Sequence, residues 1–442
     1  MSDIAARRLS AETLADNFAD ANPPLSAAQA MVEAQRCLFC HDAPCIKACP
    51  TGIDIPSFIG KIATGNLRGS ALTILEANIL GGSCARVCPT EELCEQACVR
   101  NAQEGQPIKI GLLQRHSTDW LMQRVATPFQ RAPSTGRRVA IVGAGPAGLA
   151  CAHRLARLGH GVTIFEAKHR AGGLNEFGIA AYKLVDDFAQ RELRFVLSIG
   201  GISIEYEQAL GRDFTLDTLR RQFDAVFLGL GQAVAQGLGL RGEQAAGIRN
   251  AVEFIADIRQ RPREEVAVGR RVVVIGGGNT AIDAAVQARL LGAEEVTIVY
   301  RRGPEHMSAT LEERRWAQTN DVLIRLWSTP MRLSVAEGAV TGIEFGRTRL
   351  DAAGRLIHSG EEFHVSADMV LKAIGQRGLL DPLGGALELD GDRIAVDADR
   401  ATSLPGVYAG GDCVPGTDLT VSAVEDGKRA AEAIHRRLSM TA

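Results

Sequence analysis

The 442-residue chain has no excess of charge of either sign, since 49 Lys and Arg stand against 52 Asp and Glu, a formal net charge of −3 at pH 7. That balance argues against a nucleic-acid binder with a global basic field. No uninterrupted apolar run reaches the ~18 residues that a spanning helix needs, so no membrane association is expected. The opening Met-Ser-Asp-Ile-Ala-Ala-Arg-Arg lacks the apolar stretch of a secretory signal, which points to the cytoplasm. Low-complexity segments and short-period repeats are also missing. With 46% hydrophobic and 23% charged residues, the composition is that of a globular protein. At ~150 residues per domain, the length corresponds to two or three domains.

What the chain does have is cysteine in one place. Eight of its ten cysteines fall between Cys37 and Cys98, and only Cys151 and Cys413 lie outside. A reducing compartment would not hold eight crowded thiols as disulfides, so they read as metal ligands. The first set is Cys37-x2-Cys40-x4-Cys45-x3-Cys49-Pro50 and the second is Cys84-x3-Cys88-Pro89-x4-Cys94-x3-Cys98. Two closed zinc sites would use eight thiols. A dense run ending in Cys-Pro is instead the iron–sulfur habit, in which the last Cys serves the other cluster. Zinc also carries no electrons, and two 4Fe–4S clusters are the preferred reading. Zinc and disulfides are the alternatives.

Around the cysteines the pattern is helical, with stretches from Ser57 to Ile62, Ser70 to Asn78 and Ile108 to Arg124, preceded by a polar arm that Asn22-Pro-Pro breaks. The Pro-, Ser- and Gly-rich segment from Ala126 reads as a linker. Beyond it, Arg138-Val-Ala-Ile-Val is a buried-strand run, followed by Gly143-Ala-Gly145-Pro-Ala147-Gly148 and an amphipathic helix. Glycines in this pattern let the backbone approach a pyrophosphate, which sits on the helix N-terminus. Glu166 ends the next strand, where a carboxylate accepts from ribose hydroxyls. The same order recurs 133 residues later with Gly276-Gly-Gly278-Asn279-Thr280-Ala281. There Arg301 and Arg302 stand in place of the acidic residue, and a guanidinium can clamp a 2′-phosphate. The first site should therefore take FAD, and the second should prefer NADP(H) to NAD(H). A solvated strand end is the plainer reading of the two arginines. Short alternating runs from 331 to 370 suggest an antiparallel excursion.

The expected fold class is α/β, a helical domain over 1–130 followed by two Rossmann-like domains. The FAD domain spans 131–234 and 379–442, split by an NAD(P) domain over 235–378. Gly172-Gly173-Leu174, Gly229-Leu-Gly231, Ala373-Ile-Gly375 and Val407-Tyr-Ala-Gly-Gly411-Asp412 resemble the flavin/nicotinamide oxidoreductases with two nucleotide domains. That resemblance implies that Asp412 meets the flavin's ribitol chain and that the helix start at Leu419-Thr420 faces its pyrimidine edge. Unlike the disulfide reductases, the chain has no Cys pair near the flavin, and lone Cys151 and Cys413 read as structural.

Cys40-His-Asp-Ala-Pro-Cys-Ile-Lys-Ala-Cys-Pro, Cys84-Ala-Arg-Val-Cys-Pro-Thr-Glu, Gly111-Leu-Leu-Gln114-Arg and Arg170-Ala-Gly-Gly-Leu extend the match. With them, nearly the whole chain resembles the glutamate synthase small-subunit-like flavoproteins. It is most similar to the electron-input part of the NAD(P)-dependent dihydropyrimidine dehydrogenases within them. The resemblance implies one cluster on Cys37, Cys40, Cys45 and Cys98. It implies a second on Cys49, Cys88, Cys94 and an oxygen of Gln114, with Cys84 a bystander. That oxygen belongs to Gln in the dihydropyrimidine dehydrogenases and to Glu in the glutamate synthases. Counting thiols alone would instead make all eight ligands. Lys183 lies where the family places a basic residue near the flavin, although Gly178-Ile-Ala-Ala departs from the family's Gly-Ile-Pro.

The implied function is electron input from NAD(P)H through FAD and two 4Fe–4S clusters to an FMN-containing subunit that reduces uracil or thymine. About 30 residues follow Asp412, too few for an FMN barrel of ~250 residues, hence the expectation of a partner. Hydride transfer to a flavin requires no side-chain acid or base, so no catalytic side chain is expected. A glutamate synthase small subunit and a metal-stabilised NADP-binding scaffold without turnover are the alternatives.

Overall fold

The computed structural model describes residues 3–125 and 127–440, so Ala126, the expected start of the linker, lies outside the described residues. Two compact units are present. One comprises residues up to Ala21, Phe177–Val185 and Val234–Arg377; the other comprises Asn22–Glu176, Asp186–Ala233 and the chain from Gly378 onward.

The second unit opens with the cysteine region, which holds no strand among its described residues. Its main helices are α1 (Ala27–Gln35), α2 (Ile55–Ala63), α3 (Leu67–Ala77), α4 (Gly81–Val87) and α5 (Ile110–Met122). Local chemistry starts the first three, since Ser26, Asp54 and Asn66 each accept from a backbone N–H three residues on. Their apolar faces meet in a core that includes Ala30, Phe58, Ile59, Ile62, Ile74 and Leu113.

The chain then runs through β1 (Arg138–Val142), α6 (Pro146–Arg157), β2 (Gly161–Glu166), α7 (Phe188–Leu197), β3 (Ile202–Tyr206) and β4 (Ala225–Leu228). It leaves for the first unit before this sheet is complete. That unit contains β5 (Ile248–Asn250), α8 (Ala251–Gln260), β6 (Arg271–Ile275), α9 (Asn279–Leu290), β7 (Glu295–Val299), α10 (Leu311–Thr319) and β8 (Val322–Arg325). An antiparallel sheet of β9 (Ser328–Ala336), β10 (Ala339–Leu350) and β11 (Leu356–Ser366) follows, then β12 (Met369–Lys372). The parallel sheet has the order β5-β12-β6-β7-β8. The N-terminal arm belongs here too: Ser10 caps the helix Ala11–Asn17, and Leu14 and Phe18 join this unit's core.

On its return the chain adds β13 (Val407–Ala409) and the long α11 (Thr420–Met440) to the second unit, giving a parallel sheet β13-β4-β1-β2-β3. Both sheets are parallel because helices cross over between neighbouring strands, and burial on both faces makes β1 and β6 apolar runs after their first residue. The fold is thus α/β with a helical N-terminal region and two Rossmann-like sheets. No described helix is long and apolar enough to cross a membrane.

Candidate functional site

In the second unit, two glycines around the start of α6 have no room for a side chain. A Cβ on Gly143 (φ +98°) would stand 2.3 Å from the Gly229 carbonyl oxygen, and one on Gly148 would stand 2.0 Å from that of Gly143. Gly145 is different, because a Cβ there would meet no described atom nearer than 3.8 Å. It leaves an open cradle beside the start of α6, the place a pyrophosphate takes in this motif. Glu166, at the end of β2, is buried and accepts from Ala144 N (2.8 Å) and Lys168 N (2.9 Å), which fixes its carboxylate at the rim of the turn. Gly173 closes in from the far side, where a Cβ would stand 2.7 Å from the Gly145 Cα, and Leu174 beside it is partly exposed.

The returning segment completes this site. A Cβ at Gly411 (φ +76°) would meet the Ala147 Cβ at 3.0 Å, and Gly411 N donates to Asp426. Burial and the neighbouring Asp418 push the Asp412 carboxyl up to about 6, against the pull of Arg393. The start of α11 is tied by a 3.0 Å bond between the Thr420 hydroxyl and the Asn175 amide oxygen, and Leu419 N bonds back to Thr417 O. Small residues, an open cradle and two carboxylates around one helix start fit a flavin dinucleotide.

The first unit repeats the turn between β6 and α9. Gly276 lies against the Ala373 carbonyl and Gly277 against the Tyr300 ring, at 2.2 and 2.5 Å from where a Cβ would be. Gly278 precedes α9, with Thr280 in its first turn and Ala281 fully buried. The Asn279 side chain accepts from Thr310 N at 3.2 Å. At the end of β7 the carbonyls of Arg301 and Arg302 accept from the Thr348 hydroxyl and Trp327 N, while neither guanidinium forms an ion pair among the described residues. At Gly375 (φ +101°) an added Cβ would meet only the Gln236 amide nitrogen among the described residues, at 3.5 Å. Lys183 is not free. Its ammonium lies 2.7 Å from Asp283 and 2.5 Å from Glu313, both carboxylates of the same unit.

The eight thiols form two neighbouring constellations. Cys37 senses the charges of Cys40 and Cys98, Cys45 senses those of Cys98 and Cys37, and all four line one pocket walled by Ile55, Ile59 and Ile110. Cys88 interacts with Cys84, Cys94 and Cys49, and Cys94 with Cys49 and, across the gap, Cys45. Helix ends place them: Cys49 closes the helix Pro44–Ala48, Cys88 closes α4, and Cys98 opens the helix Val99–Glu104. Burial and the neighbouring thiols push Cys45 up to about 11, the hydrogen bond with Cys84 and burial push Cys88 well above the ordinary thiol value, and burial with the Glu95 carboxylate does the same to Cys94. Four thiols lining one pocket, and more gathered about Cys88 and Cys94, supply the sulfur-rich donor sets that fit an iron–sulfur cofactor. Among the described residues no three His, Cys, Asp or Glu side chains converge on a single point for one ion.

Gln114 is buried on α5, and its amide nitrogen donates to the Gly81 carbonyl of α4 at 2.7 Å. No hydrogen bond occupies its amide oxygen among the described residues. Cys84, on α4, is 2% exposed and shares a hydrogen bond with Cys88, both thiols being free. The second constellation lies against the flavin half of its unit: Lys428 of α11 donates to Thr51 O and Ala77 O, and Pro50 shares a cavity lining with Gly411. Sequence patterns missed Asp426 and Glu192, which reach these sites from distant helices and carry no motif.

Residues 14–126 match the family described as dihydropyrimidine dehydrogenase domain II, 4Fe-4S cluster, and residues 137–427 match pyridine nucleotide-disulphide oxidoreductase. The NAD-dependent dihydropyrimidine dehydrogenase subunit PreT of Escherichia coli K12 is 36% identical over 419 residues, 94% of this chain and 96% of that protein. The small chain of the NADPH glutamate synthase from the same organism is 36% identical over 441 residues, 94% of this chain and 93% of that one. Two solved structures share the fold. Mycobacterium tuberculosis FprA in complex with NADPH has a TM-score of 0.58 and 21% identity, covering 70% of this chain and 86% of that one. Thioredoxin reductase of T. acidophilum has a TM-score of 0.54 and 24% identity, covering 69% and 99%. With FAD and NAD(P) domains behind an iron–sulfur domain, the chain belongs to the pyridine nucleotide-disulphide oxidoreductases, as an NAD(P)H-dependent iron–sulfur flavoprotein of the PreT and glutamate synthase small-chain family.

Proposed function

We propose that this chain is the electron-input subunit of a dihydropyrimidine dehydrogenase, delivering electrons from NAD(P)H to an FMN-containing subunit that reduces uracil or thymine. When bound, the flavin accepts a hydride and the iron–sulfur centres carry its electrons singly. The chain's own residues bind, orient and insulate. Gly143, Gly145, Ala147, Gly148, Glu166, Gly173, Leu174, Gly411, Asp412, Leu419 and Thr420 hold FAD. Gly276, Gly278, Asn279, Thr280, Ala281 and Gly375 hold the nicotinamide nucleotide, with Arg301 and Arg302 favouring NADP(H) through its 2′-phosphate. Cys37, Cys40, Cys45 and Cys98 hold one 4Fe–4S cluster, and Cys49, Cys88, Cys94 and Gln114 hold the other. The proposed domain limits are 1–130, 131–234, 235–378 and 379–442. Lys183 acts through Asp283 and Glu313 to fix the segment it sits on.

The observation that carries the choice of partner is Gln114. Its nitrogen is anchored on Gly81 and, among the described residues, its oxygen is left without a donor, the arrangement a neutral oxygen ligand requires. In the resembling enzymes this residue is Gln on the pyrimidine side and Glu in glutamate synthases. The equally similar glutamate synthase chain supports the second reading, a subunit serving a glutamine-dependent partner. Affinity capture of the intact chain with its partner, followed by NADPH and NADH oxidation with uracil, tests the choice. Uracil-dependent oxidation is expected. Oxidation that depends on glutamine and 2-oxoglutarate instead would overturn it.

A further inference from the structure

Helix α4 starts without a side-chain cap of its own, because Leu80 offers no acceptor. The acceptor arrives from α7. Glu192, 1% exposed, takes hydrogen bonds from Ser83 N at 3.0 Å, from Gly82 N and from the Ser83 hydroxyl. The approach is possible only beside a glycine, since a Cβ on Gly82 would stand 2.8 Å from the Glu192 carboxylate and 2.6 Å from the Phe188 ring. The same short helix presents the Gly81 carbonyl that orients Gln114, and it ends on Cys88. A buried carboxylate is therefore fixed to the first turn of the helix that arranges two of the proposed ligands.

We propose that Glu192 is a positioning residue for the second iron–sulfur centre, and that one-electron reduction of this centre is coupled to protonation of the Glu192 carboxylate. The inference rests on the assignment of Cys49, Cys88, Cys94 and Gln114 as ligands. The step balances simply. The centre gains one electron, which the reduced flavin supplies, and the carboxylate gains one proton from solvent to form an O–H bond. No further oxidant or reductant enters, and the local charge is the same before and after.

The surroundings leave this carboxyl able to titrate. Burial pushes it up to about 7, while the Ser83 donors and Arg86 pull it down. From α4 the facing charge is Arg86, but its guanidinium is shared, bonded to both Asp119 oxygens at 2.8 Å and lying 3.6 Å over the Phe188 ring. Arg115 of α5 also reaches Asp119, at 3.5 Å. Toward α6, α7 offers Leu193 and Val196 to an apolar cluster with Leu149 and Ala150. Glu192 itself makes no ion pair among the described residues. An added negative charge on the nearby centre raises the proton affinity of such a group further.

The test is a redox titration of the intact, cofactor-loaded chain followed by electron paramagnetic resonance, over a range of pH. In the wild type one of two centres should become harder to reduce as pH rises above about 7, by up to tenfold in its equilibrium per pH unit, ~59 mV. In Glu192→Gln, which keeps size and acceptor, that dependence should vanish while the other centre is unchanged. Ser83→Ala removes a donor to the charged form and should move the window to higher pH. A flat wild-type potential, a slope surviving in Glu192→Gln, or a window unmoved in Ser83→Ala would overturn the coupling. Iron analysis separates the premise: a wild-type chain holding only one centre would remove the ligand assignment itself, whatever the slope.

Discussion

Gly427 sits inside α11 where that helix crosses α6, and replacing it by alanine sets two effects against each other. An alanine in a helix interior is favoured over glycine by about 1 kcal/mol. Here, however, the new Cβ would stand 2.1 Å from the Ala147 carbonyl oxygen and 2.9 Å from Cys151 N. Both are backbone atoms of α6 and cannot rotate away. Restoring ordinary contact requires the two helices to part by roughly 1 Å, and overpacking of this kind costs about 1–3 kcal/mol. Ala147 also touches Gly411, so separating the helices opens the flavin site from the side that Asp412 and Thr420 hold. Gly427→Ala should therefore bind FAD about five- to tenfold more weakly, since 1.4 kcal/mol is tenfold. The assay is flavin retention by absorbance after dialysis, with thermal melts at graded FAD concentration. A variant that keeps its flavin and melts at or above the wild-type temperature would show that helix propensity wins and refute the reasoning.

Three further outcomes are expected. Arg301→Ala with Arg302→Ala should weaken NADP+ by at least tenfold in calorimetric titration and leave NAD+ nearly unchanged, because charge-assisted bonds to the 2′-phosphate are lost alone. Cys84→Ser should retain the full iron content whereas Cys88→Ser and Gln114→Ala lose part of it; iron loss in Cys84→Ser would remove Gln114 from the ligand set. His153 is held neutral in α6, with burial and the nearby Arg157 and Arg154 pulling it down to about 3. Its native pKa lies below that of the unfolded chain, so the unfolded state binds the extra proton and stability falls as pH drops from ~6.5 toward 3. His153→Leu should reduce this acid sensitivity by up to about 1.4 kcal/mol per pH unit, read from urea unfolding at two pH values.

Both glycine turns could be read from the sequence because their signal is local: strand, turn and helix follow one another within some twenty residues. The cysteine region was equally open, since spacing alone separates a metal-binding run from structural thiols. Contacts that join distant residues left no such trace. Lys183 carries a basic residue's family expectation, yet its partners Asp283 and Glu313 lie 100 and 130 residues on and show no periodicity that would pair them. Glu192 is one polar residue on an amphipathic helix, and only three-dimensional packing reveals that it caps α4. Leu14 and Phe18 announce a helix with an apolar face but not which core receives it, and that core belongs to the inserted unit.

The split of the flavin half has a consequence for how the molecule is made. β1 and α6 leave the ribosome early, yet the strand that completes their sheet and the helix that packs on α6 come from Val407–Ala409 and Thr420–Met440. During synthesis the inserted unit can close first, because its strands are nearly contiguous in sequence, while the earlier flavin turn waits with one sheet edge open. A nascent chain stalled before Val407 would thus present an unpaired edge of apolar strand β4, an adhesive surface that chaperones and prompt C-terminal docking must cover.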